Sequence, residues 1–300
     1  MNALATLPAL ASRPAASLPA IATQADNDAQ VIAMWLHGRT GHTRRAYVGG
    51  IAKFTAAVPQ AIGTVTIGQL QAFADSLEAA GLATASQVRT LATVKSLFGY
   101  ATKIGYLRFN AAAALRLPKV RGTLAARIIT EEAAHAIMAA APTGRDKVLV
   151  RVLYAAGLRV SEACGLRQCD AVQRGDAGQV TVHGKGGKTR TVLLSAATWK
   201  ELAPMAAAAS GLDAPIFTGR DGAALSTTQA WRIVRAAAKR AGIEAAVSPH
   251  WLRHGHASHS LDRGAPVSLV AETLGHASVA TTSRYLHARP DDSSARYLAI

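Results

Sequence analysis

Three short signatures punctuate this chain as a run of helices: Thr66-x-x-Gln69, Thr84-x-x-Gln87 and Ser226-x-x-Gln229. A hydroxyl followed three residues later by Gln can satisfy two backbone amides reciprocally at a helix start. The runs that follow stop at Gly81, Gly105 and Gly242, and glycine most easily adopts the left-handed turn that ends a helix. Within the second run, Val88, Leu91, Val94, Leu97 and Phe98 keep the three-to-four spacing of a buried helical face. A chain punctuated in this way is mainly helical. One stretch breaks the pattern. Residues 179–182 and 189–194 alternate as two strands, and Gly184-Lys185-Gly186-Gly187-Lys188 is the turn between them.

Three hundred residues suit about two domains. Residues 1–25 are rich in Ala, Pro and Leu and read as a flexible tail. They lack a basic start, and Pro8 and Pro14 interrupt any apolar run, so a signal peptide is not expected. No stretch approaches the ~20 apolar residues of a membrane span. Residues 26–120 read as a helical domain, with helices over 29–38, 43–58, 66–80 and 84–104 and a short fifth capped by Asn110. Residues 117–126, with Pro118, Lys119, Arg121 and Gly122, form a linker. Residues 121–300 make the second domain, mostly α with a small sheet.

Lys and Arg outnumber Asp and Glu by 33 to 18, giving a net charge of +15 and a pI near 10.5. That excess predicts a polyanionic partner, and nucleic acid is the first candidate. The helical domain alone carries ten basic against four acidic residues, with Arg44, Arg45 and Lys53 on its second helix. In the second domain, Lys188, Arg190, Arg232 and Thr228 are further candidates for DNA contact. Cys164 and Cys169 are too few and too close for a disulfide framework, which fits a reducing cytosol.

The chemistry gathers at residues 248–285. His250 and Arg253 are three apart and share a helix face. Arginine's fork matches two phosphate oxygens at once. His276 follows Leu274-Gly275, and Tyr285 lies nine residues further on. A phenol, pKa about 10, attacks phosphorus only where cations stabilise the transition state and another group protonates the leaving oxygen. Upstream, Arg159 stands at a helix break after Gly157, with Glu162 three residues on, and Lys185 sits on the hairpin. A cation at a helix start opposes the helix dipole, a conflict that an anionic ligand would remove. The crowd of His250, His254, His256 and His259 has no carboxylate within it and no HExxH pattern, so no metal site is expected. Gly187-Lys188-Thr189 is no phosphate-binding loop, because the required first glycine would be Val182.

Taken in order, Arg159 in GLRVSE, Lys185 in HGKGGKTR, His250 and Arg253 in HWLRH, His276 in LGHAS, and Tyr285 make the chain resemble the tyrosine recombinases of the phage-integrase family. The resemblance implies a mainly α protein: a helical SAM-like core-binding domain, then an α+β catalytic domain with a small sheet, together clamping duplex DNA. It implies that Tyr285 forms a 3′-phosphotyrosine, that Arg159 and Arg253 hold the non-bridging oxygens, and that His250 and His276 stabilise the pentacoordinate state. His250 would move the nucleophile's proton, Lys185 would protonate the 5′-oxygen, and Glu162 would orient His250 or Arg159. Neither ATP nor metal is required. Two rounds of exchange through a Holliday junction would recombine two sites, with a tetramer on paired sites and a monomer or weak dimer when free. The expected place is the cytoplasm, on the nucleoid. A type IB topoisomerase-like relaxing enzyme and a non-catalytic DNA-binding protein are the alternatives. The apolar end Tyr297-Leu298-Ala299-Ile300 would dock on its own domain or, as the resemblance implies, on a neighbouring protomer.

Overall fold

The computed structural model describes residues 24–120, 122, 124–184 and 187–286. The expectations for the two terminal tails, for Arg121 and for Lys185 therefore fall on residues outside those described. The chain forms two compact units, Met1–Arg121 and Gly122–Ile300.

The first unit contains α1 (Asp28–Leu36), α2 (Gly41–Ala57), α3 (Ile67–Ala79) and α4 (Thr84–Lys103). Its core is built on Trp35, Phe54, Leu70, Phe73, Leu91, Leu97 and Phe98. The Phe54 ring meets Phe73 and Phe98 edge-on, at centroid distances of 5.4 and 5.9 Å. Helices α2 and α4 approach closely at Gly50, where a Cβ would lie 3.0 Å from the Thr93 side chain. Lys95 then ties down the end of the unit by donating to the carbonyls of Ala112, Ala113 and Leu115.

The capping box at Thr66 and Gln69 forms as expected. The one expected at Thr84 does not. Helix α4 starts one residue earlier, at the cap position Ala83, which has no side-chain acceptor. Thr84 is thus inside the first turn, and Gln87 donates instead to the Leu82 carbonyl. Asn110 precedes a 3-10 turn, Ala111–Ala114, without a side-chain cap bond.

In the second unit, α5 (Glu131–Ala140), α6 (Arg145–Ala155) and α7 (Val160–Cys164) precede the sheet. The sheet is antiparallel, in the order β1 (Ala171–Arg174), β2 (Ala177–His183), β3 (Thr189–Leu194). Strand β1 was not expected from the sequence. It has four residues and three are exposed, so it carries no alternating signal. Val180 pairs with Val192, and both are buried. Helix α8 (Ala196–Ala207) seats Trp199 directly over Gly178, where no Cβ could fit. The unit continues with α9 (Thr227–Arg240), opened by the Ser226–Gln229 capping box. Then come α10 (Pro249–Asp262), α11 (Val267–Leu274) and α12 (Val279–Leu286). Helix α6 is central: Leu149, Val150, Val152 and Leu153 are fully buried, and it packs against α5, α8, α9 and α10. Among the described residues, no helix is long and apolar enough to cross a membrane.

Candidate active site

The site is built around the C-terminal end of α11. A helix leaves its last carbonyls without intrahelical partners and carries a partial negative charge there. Here three consecutive carbonyls each accept from an arginine. Thr273 accepts from Arg190 Nε at 2.7 Å, Leu274 from Arg253 Nη2 at 2.6 Å, and Gly275 from Arg159 Nη2 at 3.2 Å. Gly275 closes the helix in the left-handed conformation, with φ 63° and ψ 45°. A side chain there would be strained, and its Cβ would lie 3.0 Å from Arg190 Nη1.

The three arginines also surround one carboxylate. Glu162 is 8% exposed. It accepts from Arg190 Nη1 and Nη2 at 2.9 and 2.8 Å, and from Arg159 Nη1 and the Arg159 amide at 2.8 Å each. Arg253 Nη1 stands 3.9 Å away. Burial alone pushes the Glu162 carboxyl up, but the bonds from Arg190 and the Arg159 amide outweigh it and hold the pKa at about 2. Glu162 also answers the dipole conflict at the start of α7, where Arg159 stands. Arg253 is buried and donates Nη1 to the Gly157 carbonyl at 2.6 Å. Its burial, and then the charge of Arg159, lowers its pKa to about 10. Gly157 has φ +60°, and a Cβ there would meet His256 and Leu274 at 2.7 Å. Glycine at this break is what lets α6, α10 and α11 converge.

Two of these placements differ from expectation. Arg190 was expected on phosphate, yet its guanidinium is turned inward onto Glu162 and Thr273 and its side chain is only 11% exposed. Glu162 was expected to orient His250 or Arg159; its hydrogen bonds go to Arg159 and Arg190 rather than to His250.

His276 follows directly on this arginine cluster, and its Nδ1 pairs with Thr282 Oγ1 at 2.8 Å. Burial, then the charges of Arg253, Arg159 and Arg190, lowers its pKa to about 4. His250, on the first turn of α10, is exposed, yet crowding round its ring and then the charges of Arg253, Arg159 and Arg127 lower its pKa. Tyr285 is 6% exposed on α12. Burial raises its pKa against the opposing charges of Arg253 and Arg284. Its hydroxyl pairs with Nδ1 of His254 at 2.7 Å, a residue absent from the expected constellation. The signal was present in HWLRH, where His254 sits one residue past Arg253, but the spacing between helices that makes the contact is tertiary.

The other histidines of the cluster have separate partners: His256 with the Tyr154 carbonyl, and His259 with the Tyr154 hydroxyl and the Ile129 carbonyl. Among the described residues, no group of three or more His, Cys, Asp or Glu could hold a metal ion. An open cavity of about 820 Å³ lies over the cluster, lined by Arg159, Glu162, His183, Lys188, Arg190 and His276. The β2–β3 loop closes with Gly184 donating to the Lys188 carbonyl at 2.7 Å, and Lys188 is exposed on the cavity wall. Thr228 and Arg232 are exposed on α9, while Ala230, Val234, Ala237 and Ala238 face the core. In the first unit, Arg44, Arg45, Lys53 and Lys119 are exposed.

Residues 127–291 match the phage integrase family, and residues 36–105 match the phage integrase N-terminal SAM-like domain. The tyrosine recombinase XerC of Xylella fastidiosa (strain 9a5c) is 35% identical over 258 residues, covering 83% of this chain and 87% of that protein. The XerC of Mycobacterium sp. (strain JLS) is 34% identical over 271 residues, covering 83% and 89%. Among solved structures, a lambda integrase dimer bound to a COC′ core site superposes with a TM-score of 0.72, at 20% identity over 89% of this chain and 95% of that one. XerH site-specific recombinase in a post-cleavage complex gives a TM-score of 0.72, at 20% identity over 88% and 82%. The chain belongs to the phage integrase family: it is a site-specific tyrosine recombinase, an enzyme that cuts and rejoins DNA strands.

Proposed function

We propose that Tyr285 is the nucleophile, attacking a backbone phosphate of duplex DNA to form a 3′-phosphotyrosine and release a 5′-hydroxyl. Arg159 and Arg253 bind the non-bridging oxygens, and His250 and His276 stabilise the pentacoordinate state by hydrogen bonding. Lys185, which lies between β2 and β3 in the sequence, protonates the 5′-oxygen. Glu162 and Arg190 position Arg159. The observation that carries this reading is the end of α11, where adjacent carbonyls fix the two phosphate-binding arginines beside His276. Their aim is set before any substrate arrives, as preorganised electrostatic catalysis requires. Because the covalent intermediate keeps the energy of the phosphodiester, the exchange proceeds without ATP or metal.

Arg44, Arg45, Lys53, Lys119, Arg121, Lys188, Thr228 and Arg232 contact DNA around the site, residues 26–120 acting as the core-binding domain and 121–300 as the catalytic one. The functional assembly is a tetramer on two sites that passes through a Holliday junction. One supporting likeness is a lambda integrase tetramer bound to a Holliday junction, with a TM-score of 0.68 at 19% identity over 85% of this chain. The enzyme acts in the cytoplasm, where its DNA is.

The test begins with DNA recovered as a covalent adduct from cells and sequenced to define the site. On that site, Tyr285→Phe is expected to bind as the parent does and to form no adduct on a denaturing gel. An adduct formed by Tyr285→Phe would remove Tyr285 from this role.

A further inference from the structure

A phenol attacking phosphorus must lose its proton, and the side chain that touches the Tyr285 hydroxyl is His254. Its Nδ1 lies 2.7 Å from that oxygen, and the two rings are 5.7 Å apart at 44°. The contact joins the middle of α10 to the end of α12, and both rings are largely enclosed. The neighbouring His250 ring, to which the resemblance assigned the proton, is 6.3 Å from the His254 ring and exposed.

We propose that His254 is a further catalytic residue: its Nδ1 takes the Tyr285 proton during strand cleavage and returns it during rejoining. The step balances. The phenolic oxygen–phosphorus bond forms as the phosphorus–O5′ bond breaks. The phenolic proton passes to Nδ1, and O5′ receives a separate proton from Lys185. In rejoining, the 5′-hydroxyl attacks phosphorus and gives its proton to Lys185. The phenolic oxygen leaves and takes its proton back from Nδ1.

The surroundings keep the acceptor unprotonated. Burial comes first in lowering the His254 pKa to about 4. The charged and titratable groups that face it add to this: His250 and Arg253 on α10, Arg127 from the turn before α5, and His276 beyond α11. Tyr285 faces it from α12. The ring is therefore neutral at pH 7, and the tautomer protonated at Nε2 presents a lone pair at Nδ1 to the hydroxyl. This inference rests on Tyr285 being the nucleophile, and the controls separate the two claims.

The experiment measures single-turnover adduct formation by the full chain on a nicked duplex carrying the recovered site, between about pH 6 and 9.5. It compares the parent with His254→Ala, His254→Asn and Tyr285→Phe. The parent rate should be flat with pH, because its acceptor is already neutral. General base catalysis contributes about 10²–10⁴-fold, so His254→Ala should be at least about 100-fold slower near pH 7. Its rate should then climb about tenfold per pH unit as phenolate forms, closing the gap. His254→Asn keeps a polar atom near the Nδ1 position but cannot take the proton, so it should bind DNA and unfold as the parent does yet follow the alanine pH profile. The proposal is overturned if His254→Ala stays within about threefold of the parent, or if its defect is the same at every pH. It is equally overturned if His254→Asn restores the parent rate and flat profile. An adduct with Tyr285→Phe would instead sink the assignment of the nucleophile.

Discussion

Glu162 is the residue on which the arginines depend. Buried carboxylates ordinarily titrate high, because the interior disfavours their charge. This one is held at about 2, below the usual value of 4.5, by Arg190 and Arg159. A folded-state pKa below the unfolded one adds stability above the unfolded value and loses it as pH falls toward the folded value. That contribution is therefore complete above about pH 5 and fades between there and about pH 2. At ~1.4 kcal/mol per pKa unit it is on the order of 3 kcal/mol. Glu162→Gln removes it and leaves Arg190 buried without its counter-charge, which is the costly way to break such a pair. For a unit of this size we expect thermal unfolding to drop by about 6–12 °C at pH 7. The difference should shrink when both proteins are compared near pH 3. A difference that does not depend on pH would mean that packing, and not charge, sets the loss. Cleavage should fall at least about tenfold, because one of the two Glu162 oxygens that accept from Arg159 becomes an amide nitrogen, which cannot accept.

At the level of elements, α11 is only eight residues long, yet its C-terminal end organises side chains from α6–α7, β3 and α10. The arginines meet there because a helix end offers unpaired carbonyls and a negative partial charge. The reversal at Gly275 is what turns the chain from α11 toward His276. Gly275→Ala would impose about 1–2 kcal/mol of left-handed strain and press on Arg190 at 3.0 Å. The expected outcome is a cleavage rate at least about tenfold lower, with DNA affinity within about twofold of the parent. Affinity and cleavage falling together would indicate general collapse of the unit instead of displaced arginines.

For the whole molecule, the governing quantity is charge. A net +15 spread over both units fits binding dominated by phosphate contacts. Each neutralised phosphate adds about 0.9 to the slope of log K against log salt. Contacts from both units should engage at least about six phosphates, giving a slope of about −5 or steeper. The measurement is affinity for the recovered site from about 50 to 300 mM salt. A slope equivalent to one or two phosphates would contradict engagement by both units.

The helical class, the β2–β3 hairpin and the order Arg159, Lys185, His250, Arg253, His276, Tyr285 are legible along the chain. These are local properties. Capping boxes, glycine stops and alternating apolar residues act within a few positions, so they can be read along the chain. Even so, the Thr84 box failed, because one residue's shift in the helix start moves the hydroxyl out of the capping position. Only long-range packing turns Arg190 inward to Glu162 from 28 residues away and brings His254 to Tyr285 across 31. Strand β1 likewise exists only through its partner β2. Contacts of this kind depend on how closely helices approach, which at this site is set by Gly157 and Gly275. That distance is fixed by packing between elements and leaves no periodic trace in the chain.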